Sequence, residues 1–560
     1  MHTKQATAAF DKKGVIRKTI QVGSSTLLSR LTGLAREILM VKFLGAGALS
    51  DAFFTAYKIP NSLRKIFAEG ALSSALVPTL VGLIKKDQRN VISSLMSLTF
   101  LIFESILIFL CLFIFWCAEL VVRCLAPGWY LSLTKERLHS AIPYIGWIFE
   151  YLFPAWYVPG SNPEIAQYAV NYLQLLIPII LFFSSSAILA GALQSVHHFF
   201  IPAIAPVLFN VVYIAGLLGC LYFGLPVDVL CYCLLLAGLL QLLLHFYMYF
   251  RLNFKFARIN QKTKKSFREL LVKFVPFLFS MSIMEVNLSI VTSIATYLPP
   301  GSISLLNYAN RFMGIPLGVF ATAFSTILLP YFSRVSTYAP KRLSVYLLEA
   351  AKVVFWITMP AMILMMILSE KIFHTLFLSE KFTIAHVAKA SDVLIAFLVG
   401  LFFFSLYKIV LNLFYTLHGS TFCIIIVSLS AIIANYSFST LLMPFFGAVG
   451  LALAMVLSCG IQIILLLWFL QKYFAIKIYA RPFLLFMIAS CKQMSVLVLL
   501  FVIMYQIGIV LISFLFPAYI SNFLLYKIGF WLWAGPLCAL TAYLFYHTRK
   551  RFAISLYFLD

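Results

Sequence analysis

Four arginines lie within stretches of the chain that are otherwise apolar enough to cross a membrane. Arg30, Arg36 and Arg64 fall between residues 27 and 78, and Arg311 falls in a later apolar stretch. Guanidinium groups bind phosphate or carboxylate through paired hydrogen bonds, so these residues indicate a site for an anionic molecule. An Arg at the centre of a membrane helix costs about 2.5–3.5 kcal/mol. We therefore expect the four side chains to line a water-filled cavity rather than to face lipid.

The alternative is that each arginine pairs with its own carboxylate and binds no ligand. Glu37, Asp51 and Glu69 lie in the same region and are candidate partners. Cations outnumber these acids, which favours the cavity. Arg30 and Arg36 are six positions apart and therefore point about 120° from each other on an ideal helix. Sharing one cavity would require either a broad cavity or a bent helix.

The composition places most side chains away from water. Of 560 residues, 63% are hydrophobic and 11% are charged, whereas a soluble domain has about 25% charged residues. About fourteen apolar segments of the ~20 residues needed to span a bilayer fit the chain. We predict an all-α polytopic membrane protein. The predicted spans are 16–43, 50–83, 91–124, 166–196, 199–223, 227–250, 268–298, 303–333, 344–370, 388–417, 421–443, 446–471, 482–516 and 524–547.

The net charge of +24 has a topological explanation. Lys and Arg cluster at the N-terminus, in alternate loops between the predicted spans and at the C-terminus, as expected for segments on the cytoplasmic side of a membrane. Even numbers of spans separate the clusters, which predicts that both termini are cytoplasmic. Nucleic acid is not an expected partner, because no basic surface interleaved with aromatic residues remains. The connector 125–165 is rich in aromatic residues and proline and is expected to lie along the outer interface.

A weak internal repeat divides the predicted spans. Residues 59–78 and 315–330 each begin with Ile-Pro and end in a similar apolar stretch that finishes at proline. If the repeat is genuine, both copies have the same orientation, as in transporters whose binding sites lie between two lobes. Chance similarity between apolar helices is the alternative. The predicted division is an N-lobe (1–251, spans 1–6), a cytoplasmic linker (252–267), a C-lobe (268–472, spans 7–12) and spans 13–14 with a cytoplasmic tail (473–560).

Several long motifs resemble one family. They are SRLTGLARE (29–37), FLGAGALSDAFFTAYKIPNSLRKIFAEGALSSALVP (43–78), IPAIAPVLFN (201–210) and YANRFMGIPLGVF (308–320). These motifs resemble the MurJ/MviN lipid II flippases of the multidrug/oligosaccharidyl-lipid/polysaccharide exporter superfamily. The resemblance implies a transporter, not an enzyme, in the bacterial cytoplasmic (inner) membrane. It implies that lipid II, a disaccharide-pentapeptide on undecaprenyl diphosphate, moves from the cytoplasmic to the outer leaflet by alternating access.

The resemblance also implies roles for individual residues. Those expected to bind substrate, with the arginines holding the diphosphate, are Arg30, Arg36, Arg311, Ser29 and Ser304. A gate on the cytoplasmic side is expected to form from Arg64 with Asp51 or Glu69. The family is coupled to sodium or to the membrane potential in some members, and no other cofactor is implied. Membrane lipids and cell-wall synthesis proteins are further expected partners.

One more intramembrane carboxyl has two readings. Glu285 lies in the seventh predicted span and could contribute to a site for a cation such as sodium. Alternatively, it is the buried partner of a basic side chain.

Other functions compete with the flippase. The chain could export another lipid-linked oligosaccharide, or it could be a non-transporting scaffold of the cell-wall machinery. A drug exporter is disfavoured because a site for cationic drugs would be acidic. A membrane enzyme is disfavoured because the sequence contains no phosphate-binding loop, zinc motif, nucleophile elbow or dinucleotide fingerprint.

Overall fold

The computed structural model describes most of the chain as helix. The described residues are 12–130, 162–196, 198–322, 342–417, 421–552 and 554–557, with 324, 325, 328, 331, 332 and 335. Most of the connector 125–165 therefore lies outside the described residues. The described part contains no β-strand, and its one isolated antiparallel bridge joins Ser379 and Phe382. The prediction of an all-α chain is confirmed.

The helices before residue 300 bring the first group of charged side chains into place. They are α1 (Lys12–Leu44), α2 (Ala48–Leu63), α3 (Ser73–Lys85), α4 (Arg89–Trp116), α5 (Ala118–Leu125), α6 (Pro163–Leu176), α7 (Ile179–Ser195), α8 (Phe200–Phe223), α9 (Val227–Arg251) and α10 (Gln261–Ala295). Helix α1 packs along α8, and α8 packs along α9. This packing places the polar positions of α1 beside those of α8.

The second half of the chain continues with long apolar helices. They are α11 (Ser302–Pro316), α12 (Leu343–Ile367), α13 (Ser369–Phe377), α14 (Ile384–Val399), α15 (Leu401–Thr416), α16 (Thr421–Phe474), α17 (Ala480–Leu515), α18 (Ala518–Tyr526) and α19 (Phe530–Thr548). Helix α16 is broken at Gly447, whose φ of 56° and ψ of −129° are not helical. Glycine adopts this conformation because it has no Cβ to clash. The break falls at the start of the second of the two spans predicted at 421–443 and 446–471.

Seven helices of the described residues are long and apolar enough to cross a membrane, and the number rises to nine if each of two bent pairs counts as one span. The bent pairs are α14 with α15 and α18 with the helical segment that follows it. These helices agree with a polytopic membrane protein. The expected total of fourteen spans stays a prediction.

The chain contains two described π-helical segments, and each begins within a few residues of an Ile-Pro dipeptide. One runs from Arg64 to Leu72 after α2, and the other runs from Leu317 to Thr322 after α11. The dipeptides are the ones that start the two copies of the repeat read in the sequence, at residues 59–60 and 315–316. Proline cannot donate the usual helical hydrogen bond, and π segments often mark functional sites. The two copies thus share a local distortion as well as a sequence pattern.

The described residues divide into two compact units. The first is drawn from the ranges Met1–Leu44, Ala52–Cys124 and Pro163–Glu285, and the second from Gly45–Asp51, Leu125–Asn162 and Val286–Asp560. The core of the first unit includes Leu76, Leu95, Leu189 and Phe274. The second unit has one cluster around Phe332 and Phe414 and another around Trp356 and Phe545. The predicted boundaries of the lobes and linker stay predictions.

Candidate functional site

Helix α1 carries Ser29, Arg30 and Arg36 in the first unit. Arg30 is exposed and makes no hydrogen bond or ion pair with another described side chain. Arg36 is more enclosed, with 16% of its side chain exposed. The difference fits their six-residue spacing, which turns the two side chains in different directions. Arg30 is therefore not held by a described side chain, whereas Arg36 is held by its neighbours.

Arg36 is fixed by an amide and a carboxylate. Its Nη1 donates to Oδ1 of Asn210 on α8 at 2.9 Å, and its Nη2 donates to Oε1 of Glu37 at 2.6 Å. Its guanidinium lies 5.4 Å from the centre of the Tyr213 ring, a distance at which cation–π attraction operates. The buried Nε has no hydrogen-bond partner among the described residues. One donor of this half-enclosed cation thus remains to be satisfied.

Asn210 connects this cation to the backbone of α1. Its Nδ2 lies 3.3 Å from the carbonyl oxygen of Ser29 and 3.3 Å from Oγ1 of Thr32, and it donates to both. Its side chain is also the acceptor for Arg36. Because one amide uses both its donor and its acceptor, the rotamer of Asn210 sets the position of Arg36 relative to Ser29. Asn210 lies in the IPAIAPVLFN motif, but the sequence analysis assigned it no role. The feature that could have identified it is a polar amide side chain within an otherwise apolar stretch.

Arg64 opens the first π-helical segment. Its Nη2 donates to Oδ1 of Asn61 at 3.0 Å, and its guanidinium lies 5.1 Å from the centre of the Phe183 ring. The side chain is half-buried. The π segment widens the turn on which this residue sits, so a local change of helix type would move the guanidinium. The side chain of Glu69, the expected partner in the gate, lies outside the described residues.

Glu285 is buried in the first unit beside a lysine. Its Oε1 accepts a hydrogen bond from Nζ of Lys65 at 3.0 Å, and its Oε2 accepts one from Oγ of Ser62 at 2.7 Å. These contacts correspond to the buried-partner reading of Glu285, and sequence reasoning did not identify Lys65 as the partner. The described residues contain no group of three or more His, Cys, Asp or Glu side chains that could hold a metal ion. A cation site at Glu285 stays a prediction.

Asp51 and Ser304 meet in the second unit. Oδ1 of Asp51 accepts hydrogen bonds from the backbone N–H of Ser304 at 2.8 Å and from its hydroxyl, and Oδ2 accepts one from the N–H of Gly301 at 2.7 Å. Both residues are buried. Gly301 has a φ of +96°, and a Cβ there would lie 2.7 Å from the carbonyl oxygen of Ala46. Only glycine fits this turn, which brings the start of α11 against the start of α2.

Arg311 lies on α11 and is exposed. Two of the nine residues predicted to act in the site are thus brought into direct contact, Asp51 with Ser304. Asn210 links Arg36 to Ser29 within the first unit. The proposed roles of all nine stay predictions.

Sequence reasoning also missed Glu104. This carboxyl lies in α4 among apolar residues and faces Ser184 and Ser185 of α7. Because the surrounding residues of this helix are strongly apolar, the one carboxyl barely changes the average hydropathy of the segment and was overlooked.

Comparisons with known proteins identify the same family of relatives over most of the chain. The family model for lipid II flippase MurJ matches residues 40–528. A probable lipid II flippase MurJ of Haemophilus influenzae is 30% identical over 458 residues, covering 79% of this chain and 83% of that protein. A lipid II flippase MurJ of Burkholderia cenocepacia is 27% identical, covering 82% of this chain and 84% of that protein.

Two solved structures have a similar fold. A lipid II flippase MurJ in an inward closed conformation gives a TM-score of 0.69 at 24% identity, covering 95% of this chain and 99% of that one. An inward-facing multidrug resistance MATE family transporter of the MOP superfamily gives a TM-score of 0.62 at 15% identity, covering 82% of this chain and 98% of that one. At these identities the likeness concerns the fold.

Proposed function

The chain belongs to the lipid II flippase MurJ family, and on this premise we propose that it moves lipid II from the cytoplasmic to the outer leaflet of the bacterial cytoplasmic membrane. The family match over residues 40–528 carries this proposal. The activity is transport, and the chain is a multi-pass membrane protein. The distribution of Lys and Arg supports a cytoplasmic position for both termini.

The diphosphate of lipid II is the group that the arginines would bind. Arg30 is exposed and without a described partner, so it can contact a phosphate at once. Arg36 is held in place by Asn210 and Glu37 and has an unsatisfied Nε, so it can add a bond without reorganising. Pre-positioned donors bind an anion with less loss of side-chain entropy than free ones. Ser29, Ser304 and Arg311 complete the proposed set.

A change between two conformations would carry the headgroup across. Arg64, Asp51 and Glu69 form the proposed cytoplasmic gate of this cycle. A sodium gradient or the membrane potential would bias the two states. A potential of 100 mV acts on each elementary charge with about 2.3 kcal/mol, enough to shift such an equilibrium strongly. Contacts with cell-wall synthesis proteins would supply substrate and remove product.

The test measures lipid II in the outer leaflet of cells that depend on this chain. Arg30→Ala removes a charged contact worth about 1.5–3 kcal/mol, so we expect exposure of lipid II to fall about tenfold or more. Arg30→Lys keeps the charge but cannot form the paired hydrogen bonds of a guanidinium. The amount of lipid II in the outer leaflet should therefore lie between that of the Arg30→Ala protein and that of the parent.

The matched control is Arg123→Ala. Arg123 is also an exposed arginine of the first unit, but it pairs with Glu119 at 3.2 Å on the short helix α5. Exposure of lipid II should be unchanged in this variant. If the amount of lipid II in the outer leaflet does not change when the whole protein is depleted, the flippase proposal is wrong. Unchanged exposure in a well-folded Arg30→Ala protein would overturn the role of Arg30 alone.

A further inference from the structure

Helix α4 carries a carboxyl group at mid-length. The helix has 28 residues and is about 42 Å long, and Glu104 lies about 22 Å from its start at 1.5 Å per residue. The hydrocarbon layer of a bilayer is about 30 Å thick. Large apolar side chains on either side of it are exposed, including Leu101, Ile106 and Phe109. Glu104 therefore lies at the depth where an ionised group is most costly.

Two hydroxyl groups of α7 face this carboxyl. Ser184 and Ser185 are its polar neighbours, and both are buried, with 1% and 6% exposure. Oε1 of Glu104 and Oγ of Ser184 are buried and form no hydrogen bond of good geometry among the described residues. Two buried oxygens without a good hydrogen bond thus lie where α4 packs against α7.

The charged groups around Glu104 do not balance it. Helices α3, α6 and α7 pack against α4, and aromatic side chains of α9 and α10 also contact it. None of the described charged side chains of these five helices forms an ion pair with Glu104, and the side chain of Lys273 on α10 lies outside the described residues. The titratable neighbour is Cys111, two turns further along α4, whose Sγ donates to the carbonyl oxygen of Ile177. A thiol supplies no positive charge.

An uncompensated carboxylate at this depth costs several kcal/mol, and binding one positive charge removes the cost. A hard metal ion takes about six or more oxygen ligands, whereas this place offers one carboxyl and two hydroxyls among the described residues. The number of oxygens fits a proton better than a metal ion.

We propose that Glu104, with Ser184 and Ser185, forms a proton-binding site within the first unit. The carboxylate takes one proton from a hydronium ion and releases water. The proton removes the buried negative charge, whose cost is larger than the two serines can offset by donating hydrogen bonds to the carboxylate. Binding of the proton requires only that water reaches Glu104 between α4 and α7. The proposal therefore does not depend on the proposed transport of lipid II.

The test uses dicyclohexylcarbodiimide on the full chain in liposomes. This apolar reagent enters bilayers and adds across the O–H of a protonated carboxyl. The resulting O-acylisourea rearranges to an N-acylurea that retains every atom of the reagent, so mass spectrometry of peptides locates it. We expect label on Glu104, with yield falling as the pH of the liposome suspension rises. Glu119, which has 68% of its side chain exposed and is paired with Arg123, should remain unlabelled.

Serine variants test the rest of the site. Ser184 and Ser185 can donate to the ionised carboxylate and so favour it. In the Ser184→Ala/Ser185→Ala protein, labelling should therefore persist to higher pH. Ser186→Ala is the matched control, because Ser186 is a buried hydroxyl of the same helix that is not a neighbour of Glu104; its profile should equal that of the parent.

Three results would overturn the proposal. Glu104 could remain unlabelled at every pH while the protein is folded. Sodium chloride could protect Glu104 at constant pH while potassium chloride does not, which would make the ligand sodium. The Ser184→Ala/Ser185→Ala protein could show the same pH dependence of labelling as the parent, which would show that the two serines are not part of the site. None of these measurements involves lipid II, so their failure is distinguishable from failure of the flippase proposal.

Discussion

Asp51 caps the first turn of α11 through Ser304, although the two residues are 253 positions apart. Its carboxylate accepts bonds from the N–H and hydroxyl of Ser304 and from the N–H of Gly301. The first N–H groups of a helix lack intrahelical partners, and a carboxylate there also interacts favourably with the helix dipole. A residue expected to act in a gate thus has a structural partner that would have to be released if it moved.

Replacement of Asp51 should separate capping from gating. Asp51→Ala removes every one of these acceptors, and we expect a loss of about 1–3 kcal/mol in the free energy of unfolding. Asp51→Asn keeps one acceptor and should lose less. Ser304→Ala keeps the backbone donor and should lose least. Thermal unfolding in detergent measures the order. An Asp51→Ala protein as stable as the parent would contradict the cap.

Asn210 should matter for transport as much as the arginine it holds. Asn210→Ala frees Nη1 of Arg36 and loses the bonds to Ser29 and Thr32. We expect exposure of lipid II to fall by about tenfold, as for the loss of one charged hydrogen bond.

Asn171→Ala is the control for this variant. Asn171 is an exposed amide of the first unit and accepts a bond from Gln167 on α6. It should transport normally. Equal transport by the two variants would show that Asn210 does not position Arg36.

Hydropathy predicted the class of fold and one detailed feature of it. Long apolar runs predicted membrane helices, and the predicted boundary between two runs, at residues 444–445, lies two positions from the break in α16 at Gly447. Such features depend on neighbouring residues, and a single sequence records them directly. The Ile-Pro dipeptides likewise marked both π-helical segments, although the type of helix was not foreseen.

Contacts between distant positions could not be read in the same way. A guanidinium within an apolar segment needs hydrogen-bond acceptors, but no residue near Arg36 in the sequence indicated that Asn210, 174 positions away, is one of them. The pairing of Asp51 with Ser304 depends on a turn at Gly301 that only the folded chain reveals. Glu104 was missed for a different reason, since averaging over an apolar window conceals one carboxyl.

The ion pair of Lys65 with Glu285 should respond unequally to loss of its two members. Glu285 has 3% of its side chain exposed and Lys65 has 35%. Lys65→Met leaves a buried carboxylate without this cation, and we expect a loss of about 3–5 kcal/mol in the free energy of unfolding. Glu285→Gln leaves a lysine that can reach water and keeps an acceptor for Ser62, so it should cost less.

The double variant completes this cycle. Lys65→Met with Glu285→Gln removes both charges and should be more stable than Lys65→Met alone. Chemical denaturation of the detergent-solubilised protein gives the coupling free energy. Equal effects of the two single variants, added together in the double variant, would contradict a coupled pair.

The C-terminal tail should stabilise the second unit through two apolar side chains. Ile554 and Leu556 are buried in the cluster that joins α12, α17 and α19 around Trp356 and Phe545. Gln493 reinforces this junction, since it accepts a bond from Nε1 of Trp356 and donates to the carbonyl oxygen of Phe545.

Leu556→Ala should therefore lower the free energy of unfolding by about 2–5 kcal/mol, the range for removal of a buried leucine. Ser555→Ala is the matched control, because Ser555 lies between the two buried residues but is exposed, and it should be neutral. Thermal unfolding gives the comparison, and limited proteolysis of the tail reports whether it detaches first. If Leu556→Ala unfolds like the Ser555→Ala protein and its tail stays protected, the buried leucine contributes nothing to this junction. If the tail is cleaved while α17 and α19 stay intact, the tail opens before the helices and its contribution is limited to the free energy of docking.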